Sequence, residues 1–351
     1  MLGATGPRSL RRVAVSVSAL LAGGLVVLAP PSSAAERCFG KPATIVGTDG
    51  ADNLQGTDGA DVVVLRGGAD FVATGAGLDL VCGGGGDDQL RLGIGADRSD
   101  GGAGDDLILA AQGDDLMRGG AGADRLTGGA GDDAALGQDG RDVLAGNDGR
   151  DRLVGGPGGE TLIEGHAGDD VLAGGGGSDT LLGDAGDDRV AGGPGNFDLM
   201  SYVRSTVGVH VDLAITGPQA TGQGLDTLTA VEGLEGTARD DGLFGNDLDT
   251  PAGNGLFGLA GEDLLDGRER VDFAAGDQGD DSVYGRTGAD ELFGGNGDEV
   301  AGDFGSGGPG FDLCDEFEAD DGTCESSSIR LSAVARGWTG VWSEARRGPS
   351  P

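Results

Sequence analysis

Aspartate recurs every nine residues through the middle of this chain, two places after a glycine each time. In the row Gly119-Gly120-Ala121-Gly122-Ala123-Asp124-Arg125-Leu126-Thr127, Gly122 is fourth, Asp124 sixth and Leu126 eighth. Rows counted from Gly47 to Ile163 make 13 repeats, Glu164 then stands as one extra residue, and three more rows run from Gly165 to Ala191. The fourth place is glycine in all 16 rows, and the sixth is aspartate in every row but one, where Glu160 stands. Carboxylates and backbone carbonyls are the hard oxygen ligands that a cation such as Ca²⁺ takes, about six to eight per ion. Glycine lets a turn adopt positive φ and present its carbonyls with no Cβ in the way. The chemistry these residue types support is cation ligation.

Such ligands need elements that repeat as regularly as they do. The eighth place is aliphatic nearly throughout (Leu54, Val63, Val72, Leu126, Leu144, Leu181), with Ser99 and Ala135 the weak rows. In a strand, alternation turns the eighth residue inward and its neighbours outward, so Leu126 is expected buried and Arg125 and Thr127 wet. Composition by itself points elsewhere. With 77 Gly, 60 acidic and 23 basic residues, a formal charge of -37 and 4% aromatics, the chain has the profile of a disordered segment. Disorder needs Gly and Asp in quantity, not at fixed places. A nine-residue period of the form G-G-x-G-x-D-x-U-x is the signature of a Ca²⁺-binding parallel β-helix. Aspartates used only to cap turns would need no metal, but capping explains neither the invariant fourth glycine nor so much uncompensated charge.

On these rows the chain resembles the repeats-in-toxin, or haemolysin-type, calcium-binding nonapeptide repeat family. The resemblance implies an all-β fold: a parallel β-roll, or solenoid, with two repeats per coil. It implies that the G-G-x-G-x-D part turns and the x-U-x part forms a short strand. It also implies multiple Ca²⁺ ions between turns stacked on one edge, held by turn carbonyls and by the sixth-place aspartates of rows n and n+2. Those pairs are Asp106 with Asp124, Asp115 with Asp133, Asp124 with Asp142, Asp133 with Asp151, and Asp170 with Asp188. The expected metal residues further include Asp88, Asp179 and the fourth-place glycines Gly104, Gly122, Gly131, Gly140, Gly149, Gly168 and Gly177.

The same charge argues against nucleic acid and against anionic membrane surfaces, both of which would repel the chain. Residues 1–35 have a basic start (Arg8, Arg11, Arg12), an apolar run from Val13 to Ala29 and a small-residue end, Ser33-Ala34-Ala35. That is the layout of a secretory signal peptide, so the mature chain is expected outside the cell, without membrane insertion. Four cysteines in an exported chain allow three pairings, and their spacing favours Cys38–Cys82 and Cys314–Cys324. The absence of C-x-x-C and of an adjacent histidine disfavours zinc.

Residues 36–46 are expected to cap the roll of 47–195. Residues 196–257 break the period and read as a β-rich spacer, with strand-like alternation from Val207 to Ile215. Its Asp198, Asp226, Glu232 and Asp241 could bind calcium, but solvated surface is the expected role. Rows resume over 258–324, where Asp263, Asp281 and Asp290 are further candidate ligands. Arg270 replaces the fourth glycine of one row and weakens the case for an ion there. Residues 325–351 are basic, hold Trp338 and Trp342, and read as a disordered tail.

No H-e-x-x-H-type or G-x-S-x-G motif occurs, His166 and His210 sit at unremarkable repeat and strand places, and the longest unassigned stretch is short for a catalytic domain. The expected function is therefore a secreted, non-enzymatic calcium-binding protein. An adhesin with a cell-surface or matrix partner is the alternative, and a secreted hydrolase ranks behind it.

Overall fold

The computed structural model describes residues 36–159, 162–195, 197–247 and 253–295, and the backbone of the strands Phe304–Ser306, Leu313–Asp315 and Ala319–Asp320. The signal segment, Glu160, the Cys314–Cys324 pairing and the tail lie outside the described residues.

Each row contributes one strand, and strands alternate between two faces, so each pairs in parallel with the strand two rows away. Arg125–Ala130, for example, lies between Leu107–Gln112 and Val143–Asp148, with Leu126 opposite Ile108 and Leu144. One face is a continuous 14-stranded sheet; the other is an 11-stranded sheet followed by a six-stranded one. This is an all-β parallel solenoid with two rows per coil. The eighth-place side chains line its interior: Ile108, Met117, Leu126, Leu144, Leu153, Leu172 and Leu181 are all fully buried. Arg125 is exposed and Thr127 half-buried, as alternation requires.

The strands are longer than the resemblance implied. Arg125–Ala130 and its neighbours span six residues, running from the seventh place into the third place of the next row. The turn proper is only the Gly-x-Asp of places four to six. The second place stays in the sheet in a left-handed conformation: Gly120 has φ 126°, and Arg66, Ala111, Gln138, Asn147 and His166 take the same region with φ of 77–87°.

The count of rows also needs a correction. Leu162 pairs with Val143 and Ile163 with Leu144, so Ile163 is the buried eighth-place residue and Leu162 is only half-buried. The extra residue therefore lies upstream, between Gly155 and Leu162, and Glu164 is a ninth-place residue. A turn absorbs an insertion without moving the ladder, whereas an extra strand residue would flip every following side chain.

The segment 197–247 is no separate body. Leu199–Ser201 and Gly233–Glu235 belong to the 14-stranded sheet. Leu225–Thr229 joins the 11-stranded sheet in parallel and carries Gln219–Ala220 antiparallel on its other edge. That hairpin ends the sheet, and His210–Asp212 starts the six-stranded one by pairing with Gly242–Phe244. The alternation read from Val207 to Ile215 holds at Val209, Val211 and Leu213, all buried, although the strand is only three residues long.

The N-terminal segment does more than cover an end. Ile45–Val46 forms the edge strand of the 11-stranded sheet, with Ile45 against the core. The hairpin of Arg37–Cys38 and Lys41–Pro42 instead clasps the outer face of the first coils. Cys38 is bonded to Cys82 in the strand Leu80–Gly85, and the Phe39 ring lies 4.7 Å from the Arg98 guanidinium.

Candidate metal-binding turns

The sixth-place aspartates form two buried ladders, one along each edge. In each, one carboxylate oxygen accepts the backbone N–H of the sixth-place residue two rows earlier. Asp124 Oδ1 accepts from Asp106 N at 2.8 Å, Asp133 from Asp115 at 2.8 Å, Asp142 from Asp124 at 2.9 Å, Asp151 from Asp133 at 2.8 Å and Asp188 from Asp170 at 2.9 Å. Asp88 accepts from Asp70 at 2.9 Å. Asp179 donates its N–H to Asp198 at 3.0 Å. The register of the parallel strands sets this contact, because residues 18 apart are stacked neighbours.

The second oxygen is the notable atom. In Asp88, Asp106, Asp115, Asp124, Asp133, Asp142, Asp151, Asp170 and Asp188, Oδ2 is buried and has no hydrogen-bond partner. It occupies space that a side chain at the first place would fill. A Cβ on Gly119 would collide with Asp124 Oδ2, and one on Gly128 with Asp133 Oδ2. A fourth-place side chain is excluded by the neighbouring coil. Gly122 has φ 139°, and a Cβ there would run into the Gly104 carbonyl oxygen. Gly104, Gly131, Gly140, Gly149, Gly168 and Gly177 share that left-handed conformation.

Burial is costly for these carboxylates. It pushes Asp106, Asp133 and Asp188 up to about 7 and Asp88, Asp124 and Asp170 to about 6, with the N–H bonds opposing and neighbouring aspartates adding. A buried anion with one orphaned oxygen is expensive unless a cation meets it. Among the described residues no group of three or more His, Cys, Asp or Glu side chains converges on one point. A cation here would thus take most of its oxygens from turn carbonyls, the donors that glycine turns expose.

The ladders run on through the segment expected to be solvated. Asp198, Asp226, Glu232 and Asp241 are buried, at 0, 1, 9 and 4% exposure, which overturns the surface reading. Asp226 accepts from Asp188 N at 3.1 Å, Glu232 from Asp198 N at 2.9 Å and Asp241 from Val209 N at 2.7 Å. The signal was present in the sequence. Thr221-Gly222-Gln223-Gly224-Leu225-Asp226-Thr227-Leu228-Thr229 is a complete row with threonine at its first place, hidden by the excursion before it. Further on, Asp263 accepts from Asp241 at 2.8 Å, Asp281 from Asp263 at 2.9 Å and Asp290 from Asp272 at 2.9 Å. Burial raises Asp263 to about 8. Arg270 does not break its turn: it keeps φ at 103°, and Asp272 is 2% exposed with Oδ2 unpartnered.

Two further features escaped the sequence reading. Fifth-place aspartates form an exposed ladder running the opposite way, each Oδ1 accepting the N–H of the fifth place two rows later. Asp105 takes Ala123 N at 2.8 Å, and Asp132 takes Arg150 N at 3.0 Å. In three rows, moreover, threonine stands second and satisfies the orphan. Thr57 donates its N–H to Asp61 Oδ2 at 2.7 Å and its hydroxyl at 3.0 Å; Thr48 does the same for Asp52 at 2.5 and 3.0 Å. The Thr237 N–H reaches Asp241 Oδ2 at 2.6 Å.

A solenoid whose stacked turns hold buried, half-satisfied carboxylates is the architecture of a repeat cation binder. The RTX calcium-binding nonapeptide repeat matches residues 46–81, 66–99, 79–108, 100–135, 127–162, 164–196 and 266–298, together just over half of the chain. The chain belongs to this family and is a calcium-binding β-roll protein. No curated protein matches it as a relative.

Proposed function

We propose that this is a secreted, non-enzymatic protein whose β-roll folds when several Ca²⁺ ions bind its turns. The buried, unpartnered Oδ2 atoms of the sixth-place aspartates carry this reading. Ca²⁺ would be held by Asp106, Asp115, Asp124, Asp133, Asp142, Asp151, Asp170 and Asp188 with carbonyls of their glycine turns. Asp88, Asp179, Asp263, Asp281 and Asp290 occupy the same place in their rows and are proposed with them. Asp198 and Asp272, whose second oxygens are likewise buried and unpartnered, extend the set. The ion supplies positive charge to a stack of carboxylates about 4.8 Å apart, where each neighbouring pair repels by about 1 kcal/mol even in water.

Export fits the same chemistry. Extracellular calcium modules bind with Kd near about 10⁻⁴–10⁻³ M, so the chain would stay open in a low-calcium cytosol and close outside, where binding favours the folded state. Calorimetric titration of the metal-free mature chain tests this. Several equivalents of Ca²⁺ should bind with a large folding heat, and equal Mg²⁺ should not reproduce it, since Mg²⁺ demands octahedral geometry and keeps its waters. Saturation at fewer than two ions would overturn the proposal.

A further inference from the structure

We infer that residues 36–85 form a metal-independent seed onto which the calcium-dependent coils assemble. Three independent observations meet in this segment. First, its two leading turns are complete without a cation, so that only Asp70 and Asp79 of its four sixth-place aspartates keep an unpartnered second oxygen. The second oxygens of Asp52 and Asp61 accept both N–H and hydroxyl from Thr48 and Thr57, whereas the corresponding oxygens of Asp106, Asp124 and Asp133 have no partner. A carboxylate that accepts such donors has its second oxygen satisfied without a cation.

Second, the interior is richer in hydrocarbon here. Leu65 and Thr74 fill first places that are glycine in most later rows, and Val63, Leu65, Val72, Thr74 and Val81 are all fully buried. In two of its strands, those of Val63 and Val72, a second inward side chain replaces the glycine, as Leu92 does again just beyond the segment. A side chain as large as Leu65 adds apolar burial that the rows from Gly119 to Gly183, all with glycine at the first place, lack.

Third, the segment is closed on itself. The Cys38–Cys82 disulfide spans 44 residues and ties the clasp hairpin to the second coil. Glu36 adds an ion pair to Arg66 at 2.6 Å. Cross-linking of this kind removes unfolded-chain entropy before any ion binds. In a solenoid each row contacts only its neighbours, so a folded end presents strand edges on which the next row can pair. The strands Phe71–Ala76 and Leu80–Gly85 would be those edges, one on each face.

The inference rests on the calcium-dependent reading of the later rows, and hydrogen exchange by mass spectrometry separates the two. The oxidised mature chain would be compared in chelator and in millimolar Ca²⁺. In chelator, peptides from 36–85 should exchange at least about tenfold more slowly than peptides from 119–191, which gain protection only with Ca²⁺. Equally fast exchange of both segments in chelator, with joint protection in Ca²⁺, would overturn the seed and leave the calcium reading standing. Protection of 119–191 in chelator equal to that in Ca²⁺ would overturn both. The double variant Thr48→Val/Thr57→Val keeps side-chain shape but removes the two hydroxyl donors. It should speed exchange of 36–85 in chelator by about tenfold and leave 119–191 in Ca²⁺ unchanged; no change in 36–85 would count against the seed.

Discussion

Asp133 shows how one side chain serves two tasks. Its Oδ1 holds the Asp115 N–H, while Oδ2 is buried without a partner. Asp133→Asn keeps the acceptor and removes the charge, so its effect should change sign with the metal. Stability in chelator should rise by about 1 kcal/mol, because a buried anion is gone, and Ca²⁺ affinity should fall by about tenfold or more. The folded fraction in chelator, read by circular dichroism, and calorimetric titration with Ca²⁺ check the two signs. Gly122 has no such latitude: Gly122→Ala forces a Cβ onto the Gly104 carbonyl at φ 139° and should cost several kcal/mol, about 3 or more, in Ca²⁺. The sixth-place aspartates were legible in the sequence because a ligand in a stack must recur in phase. The fifth-place ladder was not, since its bonds join residues 18 apart whose stacking only the register reveals. The threonine turns were equally hidden, because a second-place threonine departs from the repeat by a single residue.

Strand phase was legible from the eighth place, and strand length was not. Sequence periodicity marks which residue points inward, but the half of each strand built from glycine has no side chain to signal it. Leu126→Asp should cost several kcal/mol, about 3 or more, against little for Arg125→Asp, as measured by denaturant unfolding in Ca²⁺. The inserted row gives a sharper case. Counting by nines makes Leu162 the core residue, whereas pairing makes it Ile163. Ile163→Asp should therefore unfold the neighbouring coils while Leu162→Asp is tolerated, and the reverse order would restore the simple count. The segment after Asn196 was misread for a related reason. An excursion between Tyr202 and Ala220 separates rows that stack directly, so Asp188 meets Asp226 across 38 residues. The row of Thr221 to Thr229 is visible in the sequence, but linear spacing does not say which earlier row it stacks upon.

Across the whole molecule, a net charge of -37 and a column of buried carboxylates set how the fold responds to protons and to calcium. Burial raises Asp106, Asp133 and Asp188 to about 7 and Asp263 to about 8, whereas an unfolded aspartate titrates near 4. The metal-free folded state thus binds protons more tightly than the unfolded one. Its stability is full below about pH 4 and is lost progressively as pH rises from about 4 to about 8, opposite to ordinary acid denaturation. The β signal in chelator should fall across that window, and saturating Ca²⁺ should abolish the fall by keeping the carboxylates ionised and paired. The most direct test of calcium-driven folding is far-ultraviolet circular dichroism of the mature chain. In chelator at neutral pH only a minor β signal should be present, and Ca²⁺ should bring the full β spectrum cooperatively, with neither equal Mg²⁺ nor NaCl of matched ionic strength doing so. A full β spectrum in chelator, unchanged by Ca²⁺, would contradict the account.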